Sequence, residues 1–267
     1  MISRLSVSEI LRRLLRRGAY NIFEKLLGIE REKHGLRYVP ADAVGYAVVC
    51  PRYAAMYAAE REVAVFARAL IDRVRYAEEL KIVDPSVLKS TIRKALRGDR
   101  KAAESLLEVG RGLTPKDIER IFPSLRQEFE RYRKAARGPP PEGFGEETYY
   151  FYNYAEPLPY AGFSDIWGSY VVYIVAGIAS DYVYVFKYVR GLDYSIARSM
   201  AAAEGDVAAK IWQRPRVKIH IQKPEKTPKI TYVDPHDPEP HYKAFQRGEP
   251  RAGPLCHRCP YKDLCTL

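Results

Sequence analysis

Tyr170-Val171-Val172-Tyr173-Ile174-Val175-Ala176-Gly177-Ile178-Ala179-Ser180-Asp181-Tyr182-Val183-Tyr184-Val185-Phe186-Lys187-Tyr188-Val189 decides how the rest of the chain is read. Two runs rich in Val, Ile and Tyr flank the short turn Ser180-Asp181. Branched and aromatic side chains pack well on a pleated surface, so the stretch predicts two strands paired as a hairpin. The first run, Tyr170 to Ala179, hardly alternates, which predicts a strand covered on both faces at the centre of a sheet. Downstream, an alanine-rich helix is predicted from about Tyr194 to Trp212, and Val217-Lys218-Ile219-His220-Ile221 alternates as a further strand. Upstream, Thr148-Tyr149-Tyr150-Phe151-Tyr152 also reads as a strand. Strands interleaved with a long helix place the chain in the α/β class.

Before this region the sequence is helical. Residues 41–137 read as helices, with Asp84-Pro85 and Thr114-Pro115 as N-cap and first-turn pairs and Gly98 and Gly110 as stops. Gly138-Pro139-Pro140-Pro141-Glu142-Gly143 breaks the pattern as a linker. At the N-terminus, Ser6-Val7-Ser8-Glu9 is a capping box. The helix it starts places Ile10, Leu11, Leu14 and Leu15 on one side and Arg12, Arg13, Arg16 and Arg17 on the other, which reads as an amphipathic surface helix with a solvated face ahead of a DNA-contacting one. Residues 223–254, rich in Pro, His and charge, predict an extended excursion. Four segments result: 1–40, an amphipathic helical segment; 41–137, a helical region; 144–222, the α/β core; and 223–267, the C-terminal extension.

The chain has 267 residues, 47% of them hydrophobic, enough for a sizeable core. No run of eighteen apolar residues occurs, which predicts no membrane span, and the arginine-studded N-terminus lacks a signal peptide's apolar region, so a cytoplasmic location is expected. A net charge of +11 favours a polyanionic partner, most often nucleic acid; the alternative is a charged, heat-adapted surface, which the 29% charged residues and three methionines would suit. Tyr and Arg interleave at residues 126–137, 149–154 and 182–190, a pattern that suits single-stranded DNA stacking but that buried strand tyrosines mostly explain.

All four cysteines fit one site. Cys256, Cys259 and Cys265 form C-x2-C-x5-C in the last twelve residues, and Cys50 lies in Val49-Cys50-Pro51-Arg52. In a cytoplasmic protein such thiols argue for metal before disulfide. Structural zinc with four cysteines usually uses two paired knuckles, whereas one short loop with three ligands wraps the corners of an iron–sulfur cluster better, so [4Fe–4S] ranks ahead of zinc.

One cysteine ahead of a helical region, then strand–strand–helix–strand, then C-x2-C-P-x4-C resembles the CRISPR-associated RecB-like exonucleases of the PD-(D/E)xK superfamily. Cys50-Pro51-Arg52 and Cys259-Pro260-Tyr261 carry the likeness, which spans about Pro40 to Leu267, and the AddB nuclease domain has a similar iron–sulfur staple. The resemblance implies a central mixed sheet flanked by helices, an iron–sulfur staple on Cys50, Cys256, Cys259 and Cys265, and a role in CRISPR spacer acquisition. Its partners would be DNA, single-stranded or with single-stranded ends, and an integrase or partner nuclease. Family members cut DNA with Mg²⁺ or Mn²⁺, hard cations that take oxygen ligands. The ligands are an Asp ending one strand, an E-x-K or D-x-K on the next and a preceding His, with Gln-x-x-x-Tyr on the following helix.

This chain departs from that pattern. Lys187 occupies the lysine position, but Val185 stands where the acid belongs, Ala179 where the Asp belongs, and Glu204 and Ala208 where Gln and Tyr belong. No histidine lies between Cys50 and His220. Asp165, Asp181 and Glu204 are the acids that could substitute, although Asp165 and Asp181 read as turn residues. His220, His236, His241 and His257 read as scattered surface histidines. The expectation is a DNA-associated iron–sulfur protein with a degenerate nuclease centre; the alternatives are an active single-stranded DNA exonuclease and a scaffold subunit that touches no nucleic acid.

Overall fold

The computed structural model describes residues 5–121, 125–136, 138–139, 161–165, 170–175, 177–190, 192–223 and 229–265. They form a mixed α/β structure that is mostly helical, with two small sheets. The predicted strand Thr148–Tyr152 and most of the 138–143 linker lie outside the described residues. Two compact units are present. The first comprises Met1–Val39, Glu60–Ile121 and Phe163–Tyr173; the second comprises Pro40–Ala59, Phe122–Gly162 and Ile174–Leu267.

The first unit holds α1 (Val7–Arg16), α2 (Tyr20–His34), most of α4 (Pro51–Glu79), α5 (Pro85–Leu96), α6 (Arg100–Glu108) and α7 (Pro115–Glu119). Several of these helices start where a side chain can satisfy the first free backbone N–H groups. Ser6 accepts from the Glu9 amide at 3.2 Å, Asp84 from those of Ser86 and Val87, and Asp99 from that of Ala102. Thr114 and Asp117 form a reciprocal capping box. Glu78, far along the chain, reinforces the start of α1 by accepting from the Val7 amide at 2.6 Å and the Ser8 hydroxyl at 2.5 Å. Glu9 does not complete the capping box: its carboxylate pairs with Arg12 and Arg13, both at 3.0 Å. Gly98 ends α5 with a φ of 94°, a left-handed turn for which glycine lacks the steric penalty. Leu11, Phe23, Phe66, Leu70, Leu88, Ile92, Leu106 and Leu107 meet in its core.

The core of this unit also contains a charged network. Glu30, fully buried, accepts from Arg111 with both carboxylate oxygens at 2.6 Å and from the Tyr38 hydroxyl at 2.6 Å. Buried charge persists only when paired and hydrogen-bonded, and Glu30 is both.

β1 (Arg37–Pro40), β3 (Tyr170–Val175) and β2 (Ala161–Asp165) form a three-stranded sheet in the order β1-β3-β2. β4 (Gly177–Ile178), β5 (Tyr182–Tyr188), β6 (Arg216–Gln222) and β7 (Lys229–Val233) form a four-stranded sheet in that order. The apolar run Tyr170–Ala179 is therefore not one central strand. It is shared between two sheets: β3 is the middle strand of the first and β4 an edge of the second.

The hairpin is as expected, with Gly177 opposite Tyr184 and the turn closed by the Ala179 amide donating to the Tyr182 carbonyl at 2.9 Å. α9 (Tyr194–Trp212) then crosses over, so β6 runs parallel to β5 with Lys187 level with Ile221, and β7 returns antiparallel. Gly205 lets α9 approach the sheet: a Cβ there would run into the Val217 methyl groups. Residues 229–254 are more regular than their composition predicts. They contain β7 and α10 (Glu239–Arg247), with α10 packed on α3 (Ala41–Val49). α8 (Leu125–Ala135) completes the helices described. Among the described residues, no helix is long and apolar enough to cross a membrane.

Candidate functional site

The second unit carries two constellations. The first is made of thiols. Cys50 stands between α3 and α4 in an extended conformation, with Pro51 opening the next helix, where a missing N–H costs nothing. The C-terminal cysteines sit on a chain that alternates between tight turns and extended residues. Cys256–Arg258 is one 3₁₀ turn, Cys259 is extended, Lys262–Leu264 is a second 3₁₀ turn, and Cys265 is extended again.

This segment is tied to the α3–α4 junction by the Arg52 amide donating to the Glu249 carbonyl at 3.2 Å and by Arg251 donating to the Val48 carbonyl at 3.1 Å. An edge-on contact between the Tyr53 and Tyr261 rings, 5.4 Å apart, adds to it. Cys50, Cys256, Cys259 and Cys265 all line one cavity of about 210 Å³, together with Arg52, Arg251 and Lys262. All four are free thiols, Cys50 buried and the others partly exposed. The Gly253 amide donates to the Cys256 sulfur at 3.3 Å. Among the described residues no three His, Cys, Asp or Glu side chains are gathered closely enough to hold a single metal ion. The thiols surround a space rather than a point.

The second constellation surrounds Lys187. β5 presents its side chain on the same face as the buried Val185. α3 brings Asp42 in its first turn and α9 brings Glu204. The Lys187 ammonium lies 2.7 Å from Asp42 Oδ1 and 2.5 Å from Glu204 Oε1. Glu204 is buried and packs against Gly45 of α3, where a Cβ would collide with Oε1. Its Oε1 makes no well-aligned hydrogen bond despite the short contact.

Burial pulls Lys187 toward neutrality, but the Glu204 and Asp42 carboxylates outweigh it and hold the ammonium above the ordinary lysine range. Burial pushes the Glu204 carboxyl up to about 8, against the pull of Lys187. Tyr57 donates toward Asp42 at 3.5 Å, and Tyr46, pushed up to about 12 by burial and by Tyr53 and Tyr57, packs against both of those rings. One ammonium thus sits between two acidic side chains from different helices.

Of the acids expected from sequence, Glu204 meets Lys187. Asp181 is exposed in the hairpin turn at the far end of β5. Asp165 ends β2, whose last residues belong to the first unit. Asp42 was not anticipated. It comes from a helix about 145 residues upstream, and its local signal, an acid in the first turn after Pro40, is shared by ordinary helix starts.

His220 corrects another expectation. It is fully buried, its Nδ1 sharing a hydrogen bond with the Tyr184 hydroxyl at 2.5 Å, and burial together with the Lys218 charge lowers it to about 4. His241 meets the buried Asp206 carboxylate at 3.2 Å, and the other Asp206 oxygen accepts from the His236 amide at 2.8 Å.

No protein-family model matches the chain, and no curated protein matches it significantly. A solved structure described as "Crystal structure of SSO0001" aligns over 92% of this chain and 94% of that one, with 12% identity and a TM-score of 0.39. Likeness at that level defines neither a shared fold nor an activity.

Proposed function

We propose that the protein is a DNA-associated iron–sulfur protein with a RecB-like core whose nuclease centre is closed by its own lysine. The observation that carries this reading is the common cavity: four cysteines from segments two hundred residues apart line one space in the unit that also bears Lys187. Support for the core comes from the antiparallel β4–β5 hairpin, the α9 crossover and the parallel β5–β6 pairing. Four thiols around a space of this size suit a polyatomic cluster better than a lone zinc ion, and Arg52, Arg251 and Lys262 would offset its negative charge. Cys50, Cys256, Cys259 and Cys265 would hold a [4Fe–4S] cluster, which would supply a structural cross-link between the chain's ends. Binding to DNA, and to an integrase or partner nuclease of CRISPR adaptation, follows from the family likeness and from the net charge of +11.

The test is anaerobic purification with iron, sulfide and zinc quantified against protein. About four irons and four sulfides per chain are expected, with a visible absorption band lost in Cys50→Ser and in Cys256→Ser. A colourless protein with stoichiometric zinc refutes the cluster.

A second reading has one observation in its favour. Asp42 and Glu204 are two carboxylates beside Lys187, and a divalent ion that displaced the ammonium from between them would restore Mg²⁺- or Mn²⁺-dependent cleavage. Incubation with single-stranded DNA and Mn²⁺ separates the two readings. Robust cleavage abolished by Lys187→Ala establishes the second and overturns the closed centre.

A further inference from the structure

The first unit carries a patch of positive charge that neither constellation uses. No acid occurs between Glu9 and Glu24, a stretch that contains Arg12, Arg13, Arg16 and Arg17. None occurs between Asp84 and Asp99, a stretch that contains Lys89, Arg93, Lys94 and Arg97. These stretches form α1 and α5, and the two helices pack against each other.

Their apolar residues are spent on the core: Leu11, Leu88 and Ile92 are buried, and Ile10, Leu14 and Leu15 pack against them. Arg13, Arg16, Arg17, Arg93, Lys94 and Arg97 are left at least partly exposed. Several other cations of this unit are matched to acids. Arg31 meets Glu62, Lys33 meets Glu108, Arg100 meets Glu32 and Glu104, and Arg111 meets Glu30. Arg16, Arg17, Arg93, Lys94 and Arg97 have no acidic partner among the described residues. Asp99, at the end of the second stretch, is occupied in capping α6.

A set of unmatched cations on two adjoining helices repels itself unless an anion lies across it. We propose that the exposed α1–α5 face of the first unit binds the phosphate backbone of duplex DNA without reading its bases. The cations lie along two rigid helices, which suits the regular phosphate spacing of a duplex, whereas single strands call for aromatic stacking platforms. An anionic membrane surface fits less well, because a helix lying on a membrane must offer its apolar side to the lipid and α1 has buried Val7 and Leu11 in the core. The proposal rests on the DNA association argued above and assigns it to a surface.

The experiment is fluorescence anisotropy of a labelled duplex of arbitrary sequence, titrated with the full chain across a range of NaCl concentrations. The variants are Arg93→Glu/Lys94→Glu/Arg97→Glu and, separately, Arg16→Glu/Arg17→Glu. Lys210→Glu/Lys243→Glu/Arg247→Glu, on α9 and α10, makes the same net-charge change as the first variant elsewhere. Circular dichroism establishes that each variant folds.

Wild-type affinity is expected to fall steeply with salt. The α5 variant is expected to bind at least about tenfold more weakly at low salt and to flatten the logarithmic salt slope by roughly 2–3, close to 0.9 for each phosphate that is no longer neutralised. The α9–α10 control should retain the wild-type slope. Equal losses in the α5 variant and the control, or an unchanged slope in the α5 variant, overturn the proposal while leaving DNA association intact. A wild-type protein that binds no duplex at low salt refutes the proposal, and one that binds neither duplex nor labelled single-stranded DNA refutes the DNA association as well. Loss of binding to anionic phospholipid vesicles with duplex binding unchanged would reassign the face to a membrane and also overturn the proposal.

Discussion

Replacing Lys187 by Met keeps most of the apolar stem and removes the ammonium between Asp42 and Glu204. The Asp42 side chain is 52% exposed, so its share of the pair is screened by water and is worth about 1 kcal/mol or less. The Glu204 side chain is 7% exposed, and what its loss of a partner costs depends on whether it carries a proton. In the wild-type protein Glu204 titrates at about 8, above the usual carboxylate range. Between that range and about pH 8 the folded chain therefore holds on Glu204 a proton that the unfolded chain releases, so the contribution of Glu204 to wild-type stability falls as pH rises through this window and levels off above it.

In Lys187→Met, Glu204 loses its compensating cation and its pKa moves higher still. Below pH 7 both proteins keep Glu204 protonated, and the variant should cost only about 1–2 kcal/mol. Above pH 8 the wild type ionises Glu204 opposite the ammonium, whereas the variant does not. The difference should then grow by about 1.4 kcal/mol per pH unit, toward the roughly 3–5 kcal/mol of a broken buried pair. Urea unfolding of both proteins at pH 6 and at pH 9.5 measures it, with Glu204→Gln added to the variant to restore stability at the higher pH. A loss equal at the two pH values, or one that Glu204→Gln leaves unchanged, would refute the coupling of charge and burial argued for this centre.

Three further outcomes follow from the packing. Arg111→Ala removes both 2.6 Å contacts to the fully buried Glu30, and unfolding should report a loss of about 3–5 kcal/mol, most of it recovered by adding Glu30→Gln. Gly45→Ala gains about 1 kcal/mol of helix propensity but drives a Cβ into Glu204 and to 3.1 Å from the Met200 carbonyl, so a net loss of roughly 1–3 kcal/mol in urea unfolding is expected. Asp84→Ala leaves the first amides of α5 uncapped and should lower the urea midpoint in the same assay, with Asp84→Asn close to wild type.

The parts of the structure that obey local rules could be read from the sequence. The caps at Ser6, Asp84 and Thr114, the hairpin about Ser180-Asp181 and the helix ending at Trp212 all depend on residues within a few positions of one another. Non-local facts were hidden. An apolar run such as Tyr170–Ala179 says that a segment is covered, not which sheet covers it. β7 was masked by its neighbours' proline-rich composition, although Lys229-Ile230-Thr231-Tyr232-Val233 alternates in the manner of an edge strand. His220 looked exposed because its hydrogen-bond partner, Tyr184, lies on another strand, brought level with Lys218 only by the parallel register. Asp42 was invisible for the same reason. Glu204 was reached from sequence only through its place in a motif, and the residues that give it meaning, Gly45 and Lys187, come from two other elements.

The docking of the C-terminal segment on the α3–α4 junction has a consequence for the order of events in folding. Joining Val48 to Arg251 and Arg52 to Glu249 closes a loop of about two hundred residues. Loop entropy grows only with the logarithm of length, so this closure adds little to the thermodynamic cost over a loop of half the size. The toll falls on time instead: contacts so remote in sequence form late, after the intervening helices and sheet have brought the two segments near each other. Cys50 and the start of α4 would thus pass through a period in which their thiol and aromatic surface is uncovered, and exchange of the Cys50 and Arg52 amides should report that interval separately from the burial of the sheet.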